Sequence, residues 1–435
     1  MKLTIFYADK GDSLLLTGAD KKSMLIDGGT PSAYPDFVAP RLKAALPAGG
    51  KLDVVVLSHI DEDHIGGVLG LLNDAFEWKI YDLHQQAGDT QFAQPASSRP
   101  PAVLGLWHNA FHELVSDNVG DIREMLAANA LGLRLVDAPW ARHAGARSAT
   151  IANSIPQAMR VSRRVSADQL KIPLNAPANG KLMLVRDGQA PVKVGGMKAT
   201  VIGPQPADLT KLRVAWNKWL KDQANRATID KIRDQGEKDA KRIQASYPRA
   251  DAERLAQAAQ QLGDRTAVTP PNLASLMLHV EEAGSQILLT GDGHSDDVEK
   301  GLEATGKLAP NTGLHVQVLK VPHHGSEHNT TKQFPRRITA DHYVFCGNGF
   351  MRNPELEVIK AYLESRLSHD PARRSPNLQA GNKFHFWFSC DATKMPTKYR
   401  PHMKRVTTLV KQAASGSGGK LQVHFLSGNP LAVTV

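Results

Sequence analysis

Two imidazoles and three carboxylates fall within six residues of this chain, in Ser58-His59-Ile60-Asp61-Glu62-Asp63-His64-Ile65-Gly66-Gly67. Nitrogen and oxygen donors at that density, without sulfur, suit Zn2+, Mn2+ or Fe. Further donors follow far downstream, in Leu288-Leu289-Thr290-Gly291-Asp292 and in Val321-Pro322-His323-His324-Gly325-Ser326. The two cysteines, Cys346 and Cys390, rule out a disulfide scaffold and a Cys-rich zinc site.

These residues need elements to hold them. Leu52-Asp53-Val54-Val55-Val56-Leu57 reads as a buried strand that delivers Ser58 and His59 at its C-terminal end. A loop there can aim alternate side chains at one point. Upstream, Leu3–Tyr7, Ser13–Leu16 and Ser23–Ile26 read as three short strands, the last stopping at Asp27-Gly28-Gly29. Residues 34–46 read as a helix. A helix is expected from Gly66 to about Asn73 and a strand from Trp78 to Leu83. Further strands are expected at Leu182–Val185, Lys198–Ile202, Ser275–Val280, Gln286–Leu289, Val316–Val321, Asn382–Phe388 and Leu421–Phe425. Residues 207–262 are rich in Ala, Lys, Gln, Asp and Arg and read as an inserted helical hairpin.

The His59–Gly67 segment resembles the signature of the metallo-β-lactamase superfamily, His-x-His-x-Asp-His after a buried strand, with Asp61 in place of the second histidine. The variant His-x-Asp-x-Asp-His is similar to the hydrolase domain of ComEC-type DNA-uptake proteins and their stand-alone relatives. Lys10-Gly11-Asp12-Ser13, Leu25-Ile26-Asp27-Gly28-Gly29, Asn272-Leu273-Ala274-Ser275-Leu276, Thr290-Gly291-Asp292 and Lys320-Val321-Pro322-His323-His324-Gly325-Ser326 match that family's elements in order. The resemblance implies an α/β, four-layer αββα sandwich over residues 1–365, with the helical insertion at about 207–262. Residues 366–435 would be a basic C-terminal extension with added strands.

By the same resemblance, two divalent metal ions, Zn2+ with Mn2+ as the alternative, bind at His59, Asp61, Asp63, His64, Asp292 and His324. Asp292 would bridge them. Asp63, Asp292 and His323 are the expected catalytic residues, and Ser326 and Asn353 the expected substrate contacts. His323 is expected behind a ligand or against a phosphate. The family histidine ahead of the Thr-Gly-Asp strand is missing, and Asn353-Pro354 stands where the family often has His-Pro. His279 is expected in the core, and His294 is a loop histidine or an extra ligand.

A bound metal lowers the pKa of its water towards ~7, so hydrolysis is the expected reaction. The bond is less determined. The net charge of +10 favours a polyanion such as nucleic acid or a nucleotide. Arginines 142, 147, 160, 163 and 164 form one basic stretch. Nine basic residues between Arg366 and Arg405 form another. A metal-dependent phosphodiesterase or nuclease is therefore expected. The alternatives are a small-ester, lactone or thioester hydrolase, and a weakly active binding module in a defence or toxin system. An operon-encoded partner is compatible with any of these. No secretory signal is apparent in the first ten residues and no long apolar run occurs, so the expected compartment is the cytoplasm, without a membrane partner.

Overall fold

The structure, a computed structural model, describes residues 1–47, 49–86, 93–109, 170–206, 275–377, 383–395 and 397–435, with Gly88, Gln91, Gln157, Val161, Arg164 and Val165. The expected insertion at 207–262 and most of the basic stretch 141–165 lie outside the described residues.

Short apolar runs form the strands. In the first sheet β1 (Lys2–Ile5), β2 (Leu14–Thr17), β3 (Ser23–Ile26), β4 (Val54–Leu57), β5 (Leu106–His108) and β14 (Leu431–Thr434) lie in the order β14-β1-β2-β3-β4-β5. The second sheet holds β6 (Val192–Val194), β7 (Met197–Gly203), β8 (Met277–Glu282), β9 (Ser285–Leu289), β10 (Leu314–Lys320), β11 (Ile338–Phe345), β12 (Phe384–Phe388) and β13 (Leu421–Phe425), in the order β13-β12-β11-β10-β9-β8-β7-β6. From β9 to β13 the pairing is parallel. Residues beyond 366 thus complete both sheets: β12 and β13 extend the second, and β14 pairs with β1.

Alternation sorts the side chains into layers. Leu14, Leu16, Val54 and Val56 face Val280, Ile287, Val318 and Val344 between the sheets. The intervening Leu15, Val55 and Leu57 turn outward onto α1 (Ala39–Ala45) and α2 (Glu62–Gln86). On the other side, Leu319, Tyr343, Phe345 and Phe386 pack under α3 (Ser295–Ala304), α4 (Leu356–Leu367) and α5 (Arg400–Gly416). The result is an α/β/β/α sandwich.

Two expected strands are corrected. Trp78–Leu83 is not a strand but continues α2, which runs unbroken from Glu62 to Gln86. Trp78 and Tyr81 are three residues apart and meet edge to face at 5.5 Å, a helical spacing. Leu182–Val185 forms no strand either. Met183 does enter the inter-sheet core, but the Asn109 side chain takes its backbone bonds. The Met183 N–H donates to Asn109 Oδ1 at 2.7 Å, and Asn109 Nδ2 donates to the Met183 carbonyl at 2.9 Å.

No described helix is long and apolar enough to cross a membrane.

Candidate metal centre

Strand ends from both sheets meet at one edge of the sandwich. β4 ends at Leu57 and hands on Ser58, His59 and Asp61. β9 ends at Leu289 and hands on Gly291 and Asp292. β10 ends at Lys320 and hands on His323 and His324. The Asp61 carbonyl accepts from the His64 and Ile65 N–H groups at 2.9 and 3.0 Å, starting α2 and placing Asp63 and His64 in its first turn. Glycine makes this approach possible. A Cβ on Gly67 would lie 1.8 Å from the Gly28 carbonyl oxygen, so α2 and the turn after β3 touch backbone to backbone.

Four histidines point at Asp292, each held from behind. His64 Nδ1 donates to Asp27 Oδ2 at 2.8 Å. His59 Nδ1 lies 3.0 Å from Ser58 Oγ, which itself donates to Asp27 Oδ2 at 2.7 Å. His324 Nδ1 faces Asp12 Oδ1 at 3.0 Å. His323 Nδ1 meets Asn329 Oδ1 at 2.7 Å, and Asn329 Nδ2 donates to the Asp292 carbonyl at 2.9 Å. The Nδ1 atoms of His59, His64 and His323 are hydrogen-bonded and that of His324 is at ion-pair distance from Asp12, which leaves the Nε2 atoms for the centre, the arrangement that orients metal-binding imidazoles.

The Nε2 atoms gather around one carboxylate. Asp292 Oδ2 lies 3.3 Å from both His323 Nε2 and His324 Nε2, and 3.7 Å from His59 Nε2. His64 Nε2 is 3.5 Å from Asp292 Oδ1 and 3.4 Å from His324 Nε2. Asp61 Oδ2 approaches His59 Nε2 at 3.6 Å, and Asp63 Oδ2 approaches His324 Nε2 at 3.8 Å. Donors bound tetrahedrally at ~2.1 Å stand about 3.4 Å apart, close to these spacings. Buried His59 Nε2 and Asp292 Oδ1 have no hydrogen bond. Asp12, His64, Asp292 and His324 each offer a ligand atom within 4.8 Å of the others. The residues present therefore fit a metal ion.

His323 and His324 adopt left-handed backbone angles, with φ of 43° and 55°. Such angles are uncommon away from glycine and mark a segment held for its side chains. Without metal, charge dominates the site. Burial lowers the pKa of His324, but Asp292 and Asp12 outweigh it and push it up to about 9. His64 behaves alike: burial lowers it, and Asp292 and Asp27 raise it well above the usual histidine range. Burial opposes ionisation of Asp292, yet His323, His324 and His64 hold its carboxyl well below the usual carboxylate range.

All seven expected metal and catalytic side chains converge here. Asn353 lines the narrow cleft above them with Lys10, Asp61, Asp63, Asp292, His323, His324, Phe350 and Met351. Ser326 is buried and is not among the residues lining that cleft. His294 caps α3 by accepting from the Asp296 N–H at 3.1 Å. His279 is buried on β8 and bonds Gln286 at 2.9 Å. Asp12, Asp27, Asn329, Lys320 and Lys10 join the site without a role expected from sequence. Their signal was present, since all except Asn329 fall inside the matched motifs. Of the basic segments, Arg366 is buried against the Phe384 ring and donates to the Ala340 carbonyl, so it is no part of a surface track. Arg373 pairs with Glu364 at 3.0 Å.

Residues 7–80 match the model of the Metallo-beta-lactamase superfamily. That match covers β2, β3, β4 and most of α2, and the two-sheet sandwich has the metallo-β-lactamase fold. Among solved structures, Zn2+-bound PqqB from Methylobacterium extorquens is similar at 10% identity and a TM-score of 0.33, with 100% of each chain covered. No curated protein matches the chain.

Proposed function

We propose that the protein is a metal-dependent phosphodiesterase acting on nucleic acid or a nucleotide, with two divalent ions at the Asp292 centre. The ComEC-type resemblance of the His-x-Asp-x-Asp-His segment and the net charge of +10 support the substrate class. The observation that carries the reading is the charge at the centre. Five carboxylates, Asp12, Asp27, Asp61, Asp63 and Asp292, gather at the centre with one buried ammonium group, Lys320, while Lys10 at the cleft is paired with Glu62. Four negative charges are left over in a largely buried site. Buried charge must be paired, and two divalent ions supply four positive charges in place of histidine protons.

His59 and Asp61 would hold one ion, Asp63, His64 and His324 the other, with Asp292 between. Zn2+ suits the three ligating imidazoles, and Mn2+ suits the carboxylates. Bound metal supplies Lewis-acid polarisation of a phosphoryl oxygen and an acidified water.

The chain's own groups do the rest. Lys10 lines the cleft, and although burial opposes its charge, Asp63 and Glu62 raise its pKa, so it presents a cation to an anionic substrate. Asn353 can hydrogen-bond a phosphate or sugar oxygen from the cleft wall. His323 can move a proton at the leaving oxygen, since Asn329 fixes its Nδ1 and leaves Nε2 at the cleft.

The test compares bis(p-nitrophenyl) phosphate, DNA, RNA and p-nitrophenyl acetate, with Zn2+, Mn2+ or no metal. Metal-dependent cleavage of the phosphodiesters is expected to exceed that of the acetate at least tenfold. Faster acetate hydrolysis would replace this reading with a carboxylic-ester hydrolase.

A further inference from the structure

Lys320 ends β10, an apolar strand, and its side chain is only 1% exposed. The cleft residues do not include it, so it does not meet substrate. Its ammonium donates to Asp12 Oδ2 at 2.6 Å and to the Gly291 carbonyl at 2.6 Å, and lies 3.6 Å from Asp292 Oδ1. The other Asp12 oxygen, Oδ1, faces His324 Nδ1 at 3.0 Å, and His324 Nε2 lies 3.3 Å from Asp292 Oδ2. The four side chains close a circuit: Lys320, Asp12, His324, Asp292 and back to Lys320.

A lysine has three donors, and here Asp12 and the Gly291 carbonyl take two, while Asp292 Oδ1 lies within ion-pair distance of the same nitrogen. Both ends of the circuit that could ligate, His324 Nε2 and Asp292, are set by groups that Lys320 holds. Gly291, whose carbonyl Lys320 takes, has φ of 50° and immediately precedes Asp292. The lysine backbone is fixed too, because Thr290 Oγ1 donates to its carbonyl at 2.8 Å.

We infer that Lys320 is a positioning residue for the metal centre: its buried ammonium clamps Asp12 and the Gly291–Asp292 turn, and so holds His324 and Asp292 in ligating orientation before a metal arrives. This deepens the metal part of the proposed function and does not depend on which bond is cleaved. Lys320 also fixes one positive charge permanently inside the centre, which leaves the four-charge excess that two divalent ions match.

The experiment uses the full chain with Lys320→Met, Lys320→Gln, Asp12→Asn and Asp12→Asn/Lys320→Met. Affinity for Zn2+ and for Co2+ is read by competition with a chromophoric chelator, and the Co2+ absorption spectrum reports ligand geometry. Losing a group that orients a ligand is expected to weaken metal binding about 10–100-fold. The Co2+ spectrum of Lys320→Met should shift. The double variant should lose less affinity than the two single losses combined, because both act through one circuit. A buried ion pair with a merely structural role would lower the melting temperature and leave affinity and spectrum alone. Should Lys320→Met fail to fold, Lys320→Gln keeps a donor for Asp12 without the charge and carries the same expectation. Wild-type affinity together with a wild-type Co2+ spectrum in a folded Lys320 variant would overturn the inference. Metal bound normally by the wild type with no phosphodiester cleavage would sink the substrate proposal and leave the role of Lys320 standing.

Discussion

Asp27 Oδ2 accepts the Nδ1 proton of His64 at 2.8 Å, and both side chains are fully out of solvent. The same carboxylate accepts from the Ser58 hydroxyl and the Ser58 N–H, so one residue after β3 orients both histidines of the β4 loop. Asp27 itself has φ of 57°, a backbone angle that aspartate tolerates better than most residues. Asp27→Ala should weaken metal binding about 10–100-fold while the strands persist. Chelator competition on samples matched by circular dichroism measures this. Unchanged affinity would mean that packing alone aims His64.

The adjacent histidines separate by role. His324→Ala removes a donor next to Asp63, His64 and Asp292, and should cost bound metal, read by elemental analysis. His323→Ala should keep the metal content and lower turnover about 10²–10⁴-fold, the usual contribution of a proton-transfer group. Metal loss in His323→Ala equal to that in His324→Ala would make His323 a ligand instead.

Much of this centre was legible in the chain. The apolar run before Ser58 located β4, and the order of short motifs located Asp292 and His324. The supporting carboxylates were harder to read. Asp12 and Asp27 are ordinary turn residues by type, and only their three-dimensional contacts with His324 and His64 give them roles. Lys320 lies inside the Lys320–Ser326 motif, but the motif does not show its burial, which two aspartates and a carbonyl make possible in three dimensions. Periodicity failed at Trp78–Leu83 because aromatic and β-branched residues suit a strand locally, whereas here they continue a helix that begins at Glu62, with Trp78 Nε1 donating to the Ser97 carbonyl of the following loop. At Met183 the apolar pattern identified burial correctly, but an asparagine side chain replaced the strand partner.

Gly67→Ala should damage both fold and site. The new Cβ would sit 1.8 Å from the Gly28 oxygen and 2.4 Å from its carbonyl carbon, and neither is a flexible side chain. Overpacking of this kind costs about 1–3 kcal/mol and sometimes more. Because Gly28 N–H donates to the His64 carbonyl at 3.0 Å, the shift would reach the metal loop. Thermal melting and metal content should fall together. Gly416→Ala, at the end of α5 with no atom near its Cβ, serves as the neutral control. A Gly67→Ala protein as stable as that control would show that α2 can move away freely.

A second group of histidines predicts a pH dependence that does not involve the metal centre. His342, His385 and His424 stand on β11, β12 and β13, with His385 Nδ1 and His424 Nε2 3.1 Å apart. Trp387 stacks on His424 at 3.8 Å, and its Nε1 donates to His342 Nδ1 at 3.1 Å. Burial, reinforced by His385, pushes His342 down to about 4 despite the nearby Asp341. Burial also lowers His385 and His424. The sign follows from linkage. A folded-state pKa below the unfolded value of ~6.5 means that the unfolded chain binds more protons between those two values. Stability is then complete above about pH 6.5 and falls as the pH drops towards 4. In metal-stripped protein, His64 and His324 act in the other direction, because their raised pKa values let them lose stability only as the pH rises above about 6.5, with His324 spent by about 9. Below pH 6.5 they are already protonated and contribute no slope, and the carboxylates held low titrate below their unfolded value of ~4. Burial also lowers His279 and His402 and raises Asp74, Glu299 and Glu327, so these groups contribute to the slope below pH 6.5 as well, and it is the difference in slope between wild type and a His342 variant that reports this group. His342→Gln, which keeps an acceptor for Trp387, should flatten the fall in urea-unfolding midpoint from about pH 6.5 to about 4.5. The measurement is made on chelator-stripped protein, so that acid release of metal does not enter. An equal slope in wild type and His342→Gln would show that this histidine is not the titrating group.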